Sequence, residues 1–475
     1  MWSDEGITWF VSSQSLSRLV INSTYIDAMF LPYYLFMHFW LGVSHSLWWM
    51  RLPSLLAGAA AVQALVLLAR RWLPLGWSVL AGFLLALNPL FTEYTRAARP
   101  YTALALLAVL STAALVNAID RGGRRRWALY GLASACMVFA HLLAAFVLAA
   151  HLAGVAIAGR RSALAGMAAT LGWVTVAVSP LAVLILRETQ EASWIGPSTL
   201  STFHRALADV SGRSAVEEVA LVICVLTVAA SLARIPSGSD RALGLALCLA
   251  WGTVPILLVI LAGFLQPLYT SRYSVMAIPG IALAEALAGW RISAFLAARL
   301  RTRQRRAYVG AALTCGAACL AGLALLHTTS KALQARFRDE NYRAAAAELN
   351  SDVSERPASV AVISNMAGVG FSYYVAPPGL AHAIIRQEIQ EYDRHLINFW
   401  GGVTFVSGVF EPLNLTRIIR WPIGVRPEVS PTRCAAGWAI GRGTGPSRTL
   451  VVDGSICRVL RVHQYGSAWV ASLSR

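Results

Sequence analysis

Apolar residues fill the first two thirds of the chain in long blocks separated by short polar turns. A helix crossing a bilayer needs about 20 such residues. Blocks of that kind read near 52–70, 76–92, 100–119, 163–186, 216–233, 242–264, 274–290 and 307–327. The stretch 127–158 is too long for one helix and predicts two, turning near His141. The pattern therefore predicts about ten spans. Between residues 5 and 51 the apolar stretches are shorter and rich in Tyr, His and Trp, the texture of helices lying at the headgroup level. One or two interfacial helices are expected there, one within Leu31 to Val43. After residue 328 the pattern changes to that of a mixed α/β domain. A helix is expected over Arg338 to Asn350 and an amphipathic stretch over Leu380 to Phe399, with strands over Ser359 to Ile363, Thr449 to Val452 and Arg458 to Val462. The organisation predicted is an outer loop with interfacial helices (1–51), a transmembrane domain (52–327) and an α/β domain (328–475).

Composition agrees with a membrane protein. Hydrophobic residues make up 57% of the chain and charged residues only 13%, about half the share of charge in a soluble protein. The net charge of +17 would suit a nucleic-acid partner, but its placement argues against one. The basic residues stand in short loops: Arg70-Arg71, Arg121 with Arg124 to Arg126, Arg160-Arg161, and Arg291 through Arg306. These clusters follow alternate spans, so the positive-inside rule makes them cytoplasmic. The expected location is the plasma membrane, multi-pass, with both termini and the α/β domain extracytoplasmic. An outer N-terminus needs something to carry it across, so a further helix ahead of residue 1 is expected. The acidic, polar opening does not read as a cleavable signal peptide.

The outer connections hold the candidate chemistry. Asp4, Glu5, Asp27 and Glu93 are carboxylates; Arg96, Arg99 and Arg272 are cations at helix ends, with Tyr101 and Tyr273 beside two of them. A single arginine at such a boundary can simply reach the headgroups. Three that converge opposite carboxylates could hold a phosphate through paired N–H donors, while a carboxylate served as general base. The ligand expected is a phosphate ester with a lipid tail.

These residues carry a resemblance. Asp4-Glu5, Asp27 with Tyr33-Tyr34-Leu35 and His38-Phe39-Trp40, Arg51-Leu52-Pro53-Ser54, Ala98-Arg99-Pro100-Tyr101, Ser271-Arg272-Tyr273 before Pro279, and Asp339-Glu340-Asn341-Tyr342-Arg343-Ala344 occur in this order. Together they resemble the GT-C superfamily of integral membrane glycosyltransferases, family 39 in particular, of the protein O-mannosyltransferase and aminoarabinose-transferase type in its actinobacterial form. The resemblance implies transfer of a sugar, mannose ahead of arabinose, from a polyprenyl-phosphate donor to a protein, glycolipid or glycan hydroxyl, with inversion. Asp4 would be the base and Glu5 its positioning partner. Arg99, Arg272 and Tyr273 would hold the donor phosphate, and Asp27, Glu93, Arg96 and Tyr101 would contact substrate. Relatives often have Gln-Glu before the Ala-Arg-Pro-Tyr segment; here Arg96-Ala97 stands there, and Glu93 could supply a carboxylate one turn earlier.

No nucleotide site is expected, since Gly441-Arg442-Gly443-Thr444-Gly445 lacks the strand and helix context of a phosphate loop and reads as a turn. A divalent cation near Asp4 and Glu5 is compatible with the pattern. The histidines form no ligand pair: His38 and His45 could share a helix face, and His141 and His151 read as structural. Cys434 and Cys457 fall in the expected outer domain, where a disulfide is chemically allowed. Two other readings fit the polytopic pattern. A transporter or flippase tends to show internal repeats and charges at midplane, whereas here the charges gather at the outer ends; an inactive relative would lack the catalytic pattern.

Overall fold

A computed structural model describes residues 3–26, 28–187, 195–298, 316, 326, 341–355, 360–362, 373–374, 438–442, 449–452, 455–465 and 468–474. The chain is a multi-pass, mainly helical membrane protein. It divides into two compact units, one formed by 51–187 with 195–334 and the other by 1–50, 188–194 and 335–475.

The helices of the chain run α1 (Ser3–Ser12), α2 (Leu16–Ile26), α3 (Leu31–Leu41), α4 (Leu47–Ala69), α5 (Leu75–Leu87), α6 (Pro89–Thr95), α7 (Tyr101–Arg121), α8 (Arg124–Ala140), α9 (Ala145–Ile157), α10 (Arg161–Arg187), α11 (Leu200–Val210), α12 (Ala215–Leu232), α13 (Asp240–Leu265), α14 (Ile278–Ala298) and α15 (Tyr342–Glu355), with a 3-10 segment at Ser271–Ala277. Among the described residues six helices are long and apolar enough to cross a membrane, or seven if α5 and α6 count as one span bent by 66°. The expected span 76–92 is thus two pieces. The bend falls at Asn88, whose side chain caps α6 by accepting from the Phe91 amide at 3.1 Å and donates to the Val210 carbonyl at 2.8 Å. Pro89 at the first helical position of α6 suits that start. The turn expected near His141 is present: α8 stops there, and a 3-10 turn (Leu142–Ala144) leads into α9. The stretch 307–327 lies outside the described residues apart from 316 and 326.

Small residues let the helices of the first unit approach closely, as in membrane bundles generally. A Cβ on Gly154 of α9 would stand 3.0 Å from the Leu247 Cα of α13. Polar pairs join α7, α8 and α9 inside the bundle. Ser111 meets Ser134 at 2.9 Å, and His151 meets Thr112 at 2.9 Å and Tyr130 at 3.2 Å. His151 is therefore structural, as expected. At the arginine-rich end, Arg71 reaches Asp120 at 3.1 Å and Asp240 at 2.8 Å, and Arg160 also pairs with Asp240. That network ties together the ends of α4, α7, α9 and α13.

Prolines inside the helices free carbonyls that find other donors. Pro53 cannot donate to the Trp49 carbonyl, which accepts instead from the Trp40 indole at 2.9 Å. The Trp49 indole returns a bond to the Trp40 carbonyl at 3.0 Å, and the two rings stack with centroids 4.4 Å apart. Pro180 likewise frees the Val176 carbonyl, which accepts from the Ser179 hydroxyl at 2.9 Å.

In the other unit, α1, α2 and α3 pack together, so the N-terminal region is more helical than the one or two helices expected. His38 Nδ1 donates to the Ser12 carbonyl at 2.9 Å, joining α3 to α1. His45 lies in the loop after α3 and shares no helix face with His38, a correction caused by the end of α3 at Leu41. Tyr373 packs edge-on against Trp9, with centroids 5.4 Å apart, and its hydroxyl donates to the His45 carbonyl at 2.9 Å.

The same unit holds a five-stranded sheet in the order β1 (Val360–Val362), β2 (Trp438–Arg442), β5 (Ala468–Ser474), β4 (Ser455–Tyr465), β3 (Thr449–Val452). β1 and β2 are parallel and the other pairs antiparallel. Helix α15 packs on β4 and β5, burying Tyr342 and Ala345 beside Val470 and Ala471 of the core. Its Glu348 accepts from the Tyr465 hydroxyl and pairs with His463. The three strands expected from the pattern are present. β2 and β5 are additions, and Gly441-Arg442, read as a turn, pairs with Trp469 and Ala468. The amphipathic stretch 380–399 lies outside the described residues.

Candidate functional site

Arg99 leaves the short turn between α6 and α7, and the local sequence explains how it is held. Ser54 follows Pro53 within α4, and its hydroxyl donates to the Arg99 carbonyl at 3.0 Å. Thr102 in the first turn of α7 donates to the Ser54 carbonyl at 3.0 Å. The two short motifs Arg51-Leu52-Pro53-Ser54 and Ala98-Arg99-Pro100-Tyr101 are thus one structural feature. The Arg99 side chain is 4% exposed, and its guanidinium carbon stands 6.0 Å from the Tyr101 ring centroid.

Arg272 and Tyr273 sit on the 3-10 segment, 7% exposed each. The Trp251 indole of α13 donates to the Met276 carbonyl at 2.9 Å and anchors that segment. Just beyond it, α14 presses so closely on α13 that a Cβ on Gly280 would stand 2.8 Å from the Gly252 amide nitrogen. Only a residue without Cβ fits that contact.

His141 connects the two arginine-bearing segments. Its ring lies 6.0 Å from that of Tyr101 and 4.8 Å from that of Tyr273, and the charges of both Arg99 and Arg272 bear on it. Its Nδ1 accepts from the Leu143 amide at 3.3 Å. The neutral ring therefore carries its proton on Nε2. Tyr94 closes on Tyr101 with centroids 4.7 Å apart. Two permanently charged guanidiniums, two phenols and an imidazole donor thus gather in a buried part of the bundle, a set suited to an anion.

The remaining predicted residues divide as follows. Asp4 and Glu5 stand in the first turn of α1, where carboxylates favour the helix dipole; they are 7% and 0% exposed. They were expected in a loop. The Asp4 carbonyl accepts from the Thr8 hydroxyl at 3.1 Å. Glu93 lies in α6 and Arg96 just after it, both half-buried. Asp27 and Cys434 lie outside the described residues. Cys457 is on β4 with Leu450 as its cross-strand partner. Among the described residues no group of three or more His, Cys, Asp and Glu could hold a metal ion. Sequence reasoning missed His141 as a site residue. The available signal was the break it makes between two apolar helices.

Residues 28–186 match the family model described as dolichyl-phosphate-mannose-protein mannosyltransferase. The matched stretch contains Arg99, Tyr101 and His141 and stops short of Arg272. No curated protein matches the chain. Two solved structures of ArnT from Cupriavidus metallidurans are similar. The apo form is 13% identical, with 75% of this chain and 77% of that one covered and a TM-score of 0.46. The form bound to undecaprenyl phosphate is 12% identical, with 90% and 84% covered and a TM-score of 0.49. Both scores fall below 0.5. The likeness to that family is thus a likeness of residues 28–186, about a third of the chain.

Proposed function

We propose that the chain transfers a sugar from a polyprenyl-phosphate donor to an acceptor hydroxyl on the outer membrane face, with inversion, mannose being favoured over arabinose. The observation that carries this reading is the convergence of Arg99, Arg272, Tyr101 and Tyr273 on His141. Support also comes from the family match, whose description names dolichyl-phosphate-mannose as donor. Breaking the bond between the sugar and the lipid phosphate leaves negative charge on the phosphate. Buried, preorganised donors stabilise charge where it develops in the transition state. Arg99 and Arg272 take up that charge, Tyr273 donates to a phosphate oxygen, and the Nε2–H of His141 adds a further donor. Asp4 removes the acceptor's proton as it attacks the anomeric carbon, with Glu5 positioning Asp4. Asp27, Glu93, Arg96 and Tyr101 contribute to substrate binding. The α/β domain lies on the outer side and contributes to acceptor choice, and a disulfide between Cys434 and Cys457 would brace it.

The test is transfer from radiolabelled polyprenyl-phosphate mannose and arabinose in membranes holding the wild type or Asp4→Asn. Asp4-dependent transfer from one donor supports the reading and names the sugar. Full activity of the variant rejects Asp4 as base, and no transfer from either donor rejects the reaction.

A further inference from the structure

Helices α8 and α10 leave a groove of about 740 Å³ between them, lined by Arg124, Trp127, Ala135, Gly166, Ala169 and Trp173 among others. Each helix contributes one indole and several small residues to its walls, Trp127 with Gly131 and Ala135 from α8 and Trp173 with Gly166 and Ala169 from α10, and Trp173 is 75% exposed on a helix apolar enough to cross a membrane. Along each helix the groove runs from Arg124 to Ala135 and from Gly166 to Ala177, a rise of eleven steps. At 1.5 Å per residue that is about 16 Å, close to the roughly 15 Å of one leaflet's hydrocarbon. It opens at the arginine-rich end of the bundle, which the positive-inside rule places in the cytoplasmic leaflet.

The charge at that opening is one-sided. The first turn of α8 holds Arg124, Arg125 and Arg126 and no acidic residue. Arg126 is engaged with the carbonyls of Arg121 and Gly122 at 3.4 and 3.1 Å. Arg124, which lines the groove, and its neighbour Arg125 are both exposed, while Asp120 is taken by Arg71. A basic pocket between membrane helices on the cytoplasmic side suits an anionic lipid headgroup.

We propose that this groove binds an anionic diacyl phospholipid, its phosphate on Arg124 and Arg125 and one acyl chain lying along α8 and α10. The full chain, purified in detergent, is titrated with dioleoyl phosphatidylglycerol or dioleoyl phosphatidylcholine, and bound lipid is counted by native mass spectrometry. The wild type should retain one phosphatidylglycerol in preference to phosphatidylcholine. Replacing both arginines (Arg124→Ser with Arg125→Ser) should weaken phosphatidylglycerol by roughly thirtyfold, about fivefold per arginine, and leave phosphatidylcholine unchanged. Ala169→Trp, at an exposed position, should block both lipids. Equal retention of the two lipids, an unchanged preference in the double variant, or wild-type binding by Ala169→Trp, as when another part of the chain fills the groove, would each overturn the proposal. Sugar transfer is not read in this experiment, so its outcome is independent of the proposed reaction.

Discussion

The Ser54 hydroxyl holds the Arg99 carbonyl at 3.0 Å, so α4 helps to set the backbone from which Arg99 extends. Ser54→Ala removes one hydrogen bond to a buried carbonyl, worth about 1 kcal/mol. The expected result is an approximately fivefold rise in KM for the donor. An unchanged KM would separate Ser54 from the positioning of Arg99.

His141 faces two arginines and two tyrosines, and its proposed task is to donate from Nε2. His141→Ala should weaken donor binding by about tenfold or more, the scale of a hydrogen bond to a charged group. His141→Gln, which keeps an N–H donor, should recover part of that loss. Equal loss in both variants would point to packing against Tyr101 and Tyr273 as the role of the ring.

A Cβ on Gly58 would stand 2.4 Å from the Thr95 Cγ2, at the end of α6 just before Arg96. Gly58→Ala should cost about 1–3 kcal/mol through overpacking and lower the melting temperature. Adding Thr95→Ser removes the opposing methyl and should restore most of the loss, as neighbouring sites couple in a double-mutant cycle. Additive effects would exclude that contact as the cause.

Asp240 bridges Arg71 and Arg160, but the three side chains are 50%, 40% and 26% exposed. Ion pairs this exposed contribute little. Asp240→Asn should therefore change stability by less than about 1 kcal/mol and lose even that effect at high salt. A large, salt-insensitive loss would contradict the solvent-screened picture.

Asp209 on α11, outside the candidate spans, accepts from the Tyr269 hydroxyl at 3.1 Å. Burial holds its carboxyl above the ordinary range, against the opposing effects of Tyr269, Arg213 and Arg205. A raised folded value means the protonated form is favoured in the folded state. The stability this group contributes is present below the ordinary carboxylate pKa and lost as pH rises through the raised one. Asp209→Asn should flatten the fall in melting temperature over that window. A steeper fall would reverse the sign of the shift.

The spans were legible because a bilayer imposes one length and one composition on every helix that crosses it. The break at His141 was visible for the same reason, as a block too long for one crossing. The bend at Asn88 was not, because Asn-Pro inside an apolar block reads equally as a kinked helix or as the cap of a new one, and the deciding acceptor is the Val210 carbonyl, far away in sequence. Arg99 and Arg272 stood out as cations at helix ends. His141 did not, because a lone histidine in an apolar stretch is more often structural, as His151 proved to be. β2 was missed because Gly441 and Gly443 outweighed a short run whose strand character comes from its neighbours β1 and β5.

The sheet order also sets a schedule for synthesis. β1 ends at Val362 and its neighbour β2 begins at Trp438, with residues 363–437 between them. At ribosomal rates that interval lasts several seconds. Through it β1 lacks its partner β2, and β2 in turn waits for β5, which begins at Ala468. A ribosome stalled before Ala468 would therefore release a chain in which the edges of β2 and β4 that face β5 are open to other chains.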